Sequence, residues 1–252
     1  MSGRDERREE RLRAEEQAGA DERRQRLIKL GSAAVFLTIV AVAVLIVISS
    51  SGGGGGDASN VKGASEVKRL IDGIPRKDLV LGKPSAKVAL VEFGDLQCPV
   101  CKGYSEEVLP AVIESRVRGG EATLEFRNYT IIGPESIPAG AAAVAAGKQG
   151  RGWEFIELFY RNQGAEDSGY VTDGFLTAIA EGAGVPDIAQ WEKDRKDKAV
   201  VREVGETTAE ARNLGFEGTP SFAVEGPGTK GLEPIGTPGS IGALEEAISS
   251  AS

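Results

Sequence analysis

The two cysteines of this chain, Cys98 and Cys101, are separated by only two residues, and the chain contains no histidine. A Cys–His nucleophile and every histidine-based triad are therefore excluded, because each needs an imidazole as its base. A zinc site generally needs four ligands, so it would require carboxylates or a second chain. A structural disulfide here would close a very small loop and constrain the unfolded chain little. The spacing therefore favours a redox-active dithiol over these alternatives.

The dithiol motif Cys98-Pro99-Val100-Cys101 stands where a predicted strand, residues 87–93 ("KVALVEF"), gives way to helical spacing. With Cys98 at the N-cap, Pro99 takes the first helical position, where a missing N–H costs nothing. Cys101 then lies one turn along the same face. Unsatisfied N–H groups and the helix dipole favour a thiolate at Cys98. Cys98 is therefore predicted to be the nucleophile, and Cys101 to resolve the mixed disulfide.

The other elements must form the sheet that carries this motif. Strands are predicted at residues 122–132 and in "SFAVEG" and "GLEPIG", and "SIGALEEAISS" is predicted as a closing amphipathic helix. A helical stretch over about 136–214, broken at glycine-rich points, separates the second strand from the third. The order β-α-β, helical block, β-β-α predicts an α/β fold with a helical insertion.

Four aromatic residues lie in that helical stretch. They could line a groove that binds another protein, or they could form the core of the insertion. Their helical spacing favours the core. The four residues are Trp153, Phe155, Phe159 and Tyr160.

The first fifty residues have a different character from the rest. Residues 1–29 carry nine Lys/Arg and eight Asp/Glu, and residues 30–51 form an uncharged apolar run of 22 residues. As a helix this run spans about 33 Å, enough to cross a bilayer. A buried core helix and a cleaved signal peptide are the alternatives, but the charged segment is long and no A-x-A site follows. We expect a single transmembrane helix with a cytoplasmic N-terminus, because the basic residues precede it.

The remainder is expected to be a glycine-rich linker, residues 52–64, and one domain, residues 65–252. The chain has a net charge of −8, and the first 29 residues contribute +1, so the rest carries −9. This negative charge argues against nucleic acid and anionic lipid as partners of the domain at residues 65–252. An extracytoplasmic location also suits a dithiol, since disulfides persist there.

Two separated motifs resemble a known family. The segment "FGDLQCPVC" and, some 120 residues later, "GTPSFAV" are similar to the DsbA-like thiol–disulfide oxidoreductases, which have the thioredoxin fold. The membrane-anchored, single-domain bacterial subgroup is the most similar. The segments "LVLGKPSAKVALVEF", "FRNYTIIGPES" and "GWEFIELFYRNQ" resemble it too, and the likeness covers about residues 75–250. The resemblance implies a thioredoxin-like fold and an enzyme without a cofactor.

The resemblance also implies roles for individual residues. Cys98 matches the nucleophile and Cys101 the resolving cysteine. Pro220 matches a cis-proline packed beside the disulfide, although X-Pro bonds in general are mostly trans. Thr219 matches the residue whose backbone pairs with an extended client segment, a form of strand addition that needs no particular sequence. A simple turn before a strand is the alternative for Thr219 and Pro220.

An acid near the dithiol is a further expectation. Glu92, six residues before Cys98, matches a partly buried acid of many relatives, and could exchange a proton with Cys101. The alternative is a glutamate on an exposed strand face. Asp95 is a weaker candidate for the same role.

The sequence departs from the best-known relatives between the cysteines. They carry a histidine where this chain has Val100, and valine offers the thiolate neither charge nor a hydrogen bond. With Pro99 and Val100 as the residues that tune the dithiol, Cys98 is expected to be less acidic and the enzyme a milder oxidant.

The resemblance implies a membrane-tethered monomer that donates its disulfide to unfolded or reduced secreted proteins. A membrane protein of the DsbB or VKOR type would reoxidise it. Two alternatives stay open. The dithiol could serve a reductase or isomerase, since the reduction potential decides the direction. The domain could also be a tethered client-binding module without catalysis.

Overall fold

The computed structural model describes residues 61–252. The predicted charged tail, 1–29, and transmembrane helix, 30–51, lie outside the described residues, as does the linker up to residue 60. Within residues 61–252, no helix combines the length and the apolar character that crossing a bilayer requires.

A six-stranded mixed sheet forms the centre of this domain, in the order β1-β2-β4-β3-β5-β6. Only β3 and β4 run parallel to each other, and every other pair of neighbours is antiparallel. The strands are β1 (Arg76–Lys77), β2 (Val80–Leu81), β3 (Val88–Gly94), β4 (Ala122–Asn128), β5 (Ser221–Glu225) and β6 (Glu233–Gly236).

The central strand β3 is buried along nearly its whole length, which explains its continuous apolar sequence. Its neighbour β4 alternates between buried and half-buried residues, as its sequence pattern predicts. It ends four residues earlier than predicted. The backbone N–H groups of Ile131 and Ile132 donate to the Asp95 carboxylate instead of to a strand, and the N–H of Thr130 donates to the Thr208 hydroxyl.

Helices cover the sheet and fill the long connection between β4 and β5. They are α1 (Ala64–Ile71), α2 (Pro99–Gly103), α3 (Leu109–Val112), α4 (Ser136–Gly147), α5 (Gly152–Arg161), α6 (Asp173–Gly182), α7 (Ile188–Asp194), α8 (Lys198–Asn213) and α9 (Ile241–Ser250). The predicted α/β order is therefore confirmed. Helix α1 and the strands β1 and β2 were not predicted. Each of those two strands has only two residues, too few to establish an alternating pattern.

The helix that begins at Pro99 stays continuous past Pro110. It widens into π-helical turns at Tyr104–Val108 and Ile113–Val117, on either side of α3. In the first of these turns the N–H of Leu109 donates to the carbonyl of Tyr104, five residues back. The wider turn makes room for the proline ring, which would clash with a regular α-helical carbonyl.

The aromatic residues of α5 form the core of the helical block. Each is at most 1% exposed. The indole nitrogen of Trp153 donates to the carbonyl of Leu79 at 2.9 Å, which joins the helical block to the edge of the sheet. The core interpretation of this cluster is therefore confirmed.

Candidate active site

The dithiol lies where β3 ends and α2 begins. Cys98 is the N-cap of α2 in an extended conformation (φ −72°, ψ 121°), and Pro99 follows at the first helical position. The two sulfurs are not joined by a disulfide in this structure. Cys98 is 4% exposed and Cys101 is fully buried. The predicted strand–N-cap–helix arrangement of the motif is confirmed.

The environment of Cys98 favours the thiolate. The pKa of Cys98 is lowered to about 6, chiefly because the Cys101 thiol donates a hydrogen bond to the Cys98 sulfur. The backbone N–H groups of Cys101 and Val100 lower the pKa further, while burial opposes them. Cys98 is therefore both a ready nucleophile and a good leaving group.

Cys101 has the opposite character. Burial raises the pKa of the Cys101 thiol well above its usual range, and the Cys98 thiolate and the Glu92 carboxylate raise it further. The two sulfurs are thus unequal, with charge held at Cys98 and a proton held at Cys101. Such a pair can release a thiolate at Cys98 but needs a proton for Cys101 whenever their bond is broken.

The loop before β5 lies beside the dithiol. The Thr219–Pro220 peptide bond is cis. The Cys98 sulfur lies 3.4 Å from the Thr219 carbonyl oxygen. The contact forms because β5 pairs antiparallel with β3, where Phe93 faces Ser221. On the other side of the loop, the Thr237 hydroxyl donates to the Pro220 carbonyl at 2.7 Å.

Glu92 is buried in the centre of the sheet. It is 1% exposed and lies between Phe126 of β4 and Phe222 of β5. Its Oε1 atom has no hydrogen-bond partner within residues 61–252. Burial raises the pKa of Glu92 to about 8, and the like charges of Glu157 and of the Cys98 thiolate add to the rise. The alternative of an exposed strand face is therefore wrong.

Comparison with known proteins agrees with this geometry. The thioredoxin family model matches residues 75–235. A Bacillus cereus protein named "Probable disulfide bond formation protein D" is 34% identical over 149 residues, 58% of this chain and 69% of that protein. The chain belongs to the DsbA-like thiol–disulfide oxidoreductases.

Solved structures show the same fold. BdbD from Bacillus subtilis, in its oxidised form, superposes with a TM-score of 0.61 at 23% identity, over 69% of this chain and 92% of that one. A thioredoxin-like oxidoreductase from Silicibacter pomeroyi superposes with a TM-score of 0.56 at 28% identity, over 73% of this chain and 96% of that one. The expected thioredoxin-like fold is confirmed.

In this DsbA-like enzyme Asp95 has a structural role. One carboxylate oxygen accepts the N–H of Gln97 at 2.9 Å, and the other accepts those of Ile131 and Ile132 at 2.8 and 3.0 Å. These bonds tie the loop before Cys98 to the end of β4. Both carboxylate oxygens of Asp95 are thus occupied by backbone groups, which is a structural role.

Two glutamines that the sequence analysis did not single out also hold the dithiol loop. The Gln97 side chain is fully buried and donates to the Ser136 hydroxyl at 3.0 Å. The Gln163 amide donates to the carbonyls of Leu96 and Cys98, at 2.7 and 3.1 Å. No sequence signal could have found them, because their partners lie 39 to 67 residues away.

The residues between the cysteines lie at the surface. Val100 is 53% exposed, and Pro99 is exposed as well. The Val100 backbone N–H favours the thiolate, while its apolar side chain supplies no hydrogen bond. The acidity of Cys98 therefore comes from Cys101 and from backbone groups.

The reactivity of this enzyme towards alkylating agents should follow the titration of Cys98. In the reduced protein we expect the iodoacetamide rate to rise with a midpoint near pH 6, because only the thiolate reacts. Cys98→Ser is the control and should leave only the slow reaction of buried Cys101. A midpoint near that of free cysteine, about pH 8.5, would contradict the stabilised thiolate.

Proposed function

We propose that this enzyme is an extracytoplasmic oxidase that transfers its Cys98–Cys101 disulfide to reduced secreted or surface proteins. The stabilised Cys98 thiolate carries the proposal, because it lowers the free energy of the reduced enzyme and so makes the disulfide more oxidising. The Bacillus cereus relative is named for disulfide bond formation, which points in the same direction.

The reaction consists of two thiol–disulfide exchanges. A client thiolate attacks the Cys98 sulfur, the Cys98–Cys101 bond breaks, and the electron pair passes to Cys101. Cys101 then takes a proton from Glu92, the buried acid beside it. A second client thiolate attacks the client sulfur of the mixed disulfide, and Cys98 leaves as a thiolate. The client loses two electrons and the enzyme gains them.

The loop at Thr219 and Pro220 is the proposed client-binding edge. Thr219 is partly exposed, and its carbonyl lies next to the reacting sulfur. An extended client segment that pairs with the Thr219 backbone would bring its own cysteine to Cys98. Pairing through backbone atoms leaves the client sequence free, which suits an enzyme with many substrates.

The energetics favour donation to clients. A Cys98 pKa of about 6 lies between the roughly 7 of thioredoxin and 3.5 of DsbA, so we expect a potential between roughly −270 and −120 mV. Structural disulfides in secreted proteins lie below roughly −300 mV, and every 30 mV of difference favours transfer by about 1.4 kcal/mol. The absence of a histidine at position 100 is consistent with an intermediate value.

The location and the partner are also proposed. An N-terminal helix over residues 30–51 would tether a monomeric domain outside the cytoplasm. Each turnover leaves the enzyme with two extra electrons, so a membrane oxidant must remove them. We propose a partner of the DsbB or VKOR type, on the basis of the family resemblance.

The reduction potential tests the direction of the reaction. The full chain is equilibrated in glutathione buffers, and the reduced fraction is measured by thiol alkylation. A value clearly above about −270 mV, together with oxidation of a reduced, unfolded client by stoichiometric oxidised enzyme, supports the oxidase. A value at or below about −270 mV would make the protein a reductant and overturn the proposal.

A further inference from the structure

A group of buried polar side chains lies near the first turns of the helix that carries the dithiol. Helix α5 packs against α2 and against the π-helical turn Tyr104–Val108. It contributes Glu157 and Tyr160, three residues apart, and both are fully buried. Ser105, four residues after Cys101, donates to Glu157 Oε1 at 3.0 Å. We call Glu92, Ser105, Glu157 and Tyr160 the rear cluster.

The two carboxylates of the rear cluster differ in their partners. Glu157 pairs with Arg161, one turn further along α5, and accepts the Ser105 hydroxyl. Glu92 leaves Oε1 without a hydrogen-bond partner among the described residues. Two neighbouring buried carboxyl groups cannot both ionise cheaply, so one of them keeps a proton. Burial raises the pKa of Glu157 as well, but Arg161 and the Ser105 hydroxyl act in the opposite direction. Of the two groups, Glu157 is therefore the one with partners that hold a negative charge, and Glu92 is the one that keeps the proton.

The titratable groups that face these carboxylates come from several elements. The two strands beside β3 present apolar Phe126 and Phe222 next to Glu92. The charged or titratable groups are Asp95 after β3, Cys98 and Cys101 at α2, Tyr104 and Glu106 in the π-helical turn, and Glu157, Tyr160 and Arg161 of α5. The Arg161 cation favours the charged form of Glu157. The negative charges of Glu157 and of the Cys98 thiolate disfavour the charged form of Glu92.

We propose that Glu157 is a positioning residue for the exchange reaction, whose charge keeps a proton on Glu92 for delivery to Cys101. The inference rests on the exchange chemistry proposed above. When the Cys98–Cys101 bond breaks, the electron pair goes to the Cys101 sulfur and the Glu92 proton follows it. Glu92 is then a carboxylate beside the Glu157 carboxylate, and their repulsion drives Glu92 to take up a proton from the solvent. The proton on the Cys101 thiol returns to the solvent when the oxidant re-forms the disulfide. Helix α5 thereby tunes a dithiol that lies at the start of another helix, α2.

Removing the charge of Glu157 should let Glu92 ionise at a lower pH. The pKa of about 8 belongs to the reduced enzyme, in which the Cys98 thiolate also acts on Glu92. In the oxidised enzyme that charge is absent and the midpoint lies lower. If Glu157→Gln moves the midpoint down by one unit, the protonated fraction of Glu92 above the midpoint falls by up to about tenfold. We expect Glu157→Gln to slow the oxidation of a dithiol peptide by about the same factor at pH 7.5. At pH 5.5 the rates should be equal, because Glu92 is protonated in both proteins.

The experiment uses the full chain in its oxidised form and a reduced dithiol peptide, from pH 5 to pH 9. The peptide thiols titrate in the same way in both reactions, so their effect cancels when the variant rate is divided by the wild-type rate. A second readout is the infrared C=O band of protonated Glu92 in the reduced enzyme, assigned by its loss in Glu92→Gln. We expect Glu157→Gln to move the titration of this band to lower pH. The pH at which the rate ratio falls should reflect the same change.

Glu154→Gln is the matched control. Glu154 lies three residues earlier on α5, is 7% exposed, and pairs with Arg76 and Arg151, away from the dithiol. The Glu154→Gln variant should leave the pH midpoint of the Glu92 titration unchanged. If Glu157→Gln does not fold, Ser105→Ala weakens the same charge and should move the titration by a smaller amount in the same direction.

The outcomes separate this inference from the proposed function. An unmoved Glu92 titration in Glu157→Gln, or in Ser105→Ala where that variant is used, would overturn the role of Glu157 while leaving the oxidase intact. An equal shift in Glu154→Gln would also overturn it, because the effect would then be a general weakening of α5. Failure of the wild-type enzyme to oxidise the peptide would reject the oxidase instead.

Discussion

Replacing Cys101 with serine is expected to reduce multiple-turnover exchange by at least about a hundredfold and to leave clients attached to Cys98. The Cys98 thiolate of the variant can still attack the disulfide of an oxidised peptide. The mixed disulfide then persists, because no second thiol is placed to resolve it. Non-reducing electrophoresis and mass spectrometry of the conjugate measure the effect, and Cys98→Ser should form none.

Cys101→Ala provides the matched comparison. Both variants lack the resolving thiol, but serine keeps a hydroxyl that can donate to the Cys98 sulfur, and alanine does not. Since the Cys101 hydrogen bond is the largest cause of the lowered Cys98 pKa, the alanine variant should form the conjugate more slowly at pH 6.5. Turnover by Cys101→Ser at the wild-type rate would contradict the dithiol mechanism. Client binding without any conjugate would favour a binding module.

Replacing Glu92 with glutamine is expected to stabilise the protein while slowing exchange. The pKa of Glu92 is raised from 4.5 to about 8 by burial, so the folded protein holds a proton that the unfolded chain releases. The free energy of unfolding therefore falls as the pH rises from about 4.5 to 8. At pH 7 the cost is of order 3 kcal/mol, which the glutamine variant avoids.

Urea unfolding of a reduced fragment covering residues 58–252 tests this prediction. The variant and the wild type should have nearly equal stability at pH 4.5, where Glu92 is protonated in both states. The stability of the variant relative to the wild type should increase progressively up to about pH 8, and the variant should stay the more stable protein above that pH. A variant that is less stable than the wild type at pH 7 to 8 would show that Glu92 is held by favourable contacts and is not a strained buried acid.

The two effects expected of Glu92→Gln, on stability and on exchange, express one trade-off. A buried carboxyl without a partner lowers stability, yet the same burial keeps it protonated at neutral pH and so able to serve Cys101. The two effects should separate in Glu92→Gln, which gains stability and loses the proton donor.

The sequence by itself determined the chemistry and the local geometry of the dithiol. Two cysteines two residues apart, without a histidine in the chain, leave few other uses for the pair. The N-cap position of Cys98 and the first-turn position of Pro99 follow from rules that act within a few residues. The longer strands were predicted for the same reason, since an apolar run or an alternating pattern is a local signal.

Only the tertiary structure decided what surrounds the two sulfurs. The Cys98 sulfur meets the Thr219 carbonyl across 121 residues, and that contact depends on the antiparallel pairing of β5 with β3. The burial of Glu92 depends on which elements cover its face of the sheet. Glu157 reaches Ser105, in the turn after the dithiol, only because α5 packs against the helix that begins at Pro99. Such contacts join distant segments through packing, and packing leaves no periodic signal in the sequence. Only the part of the Cys98 acidity that comes from the start of the helix could therefore be predicted from the sequence.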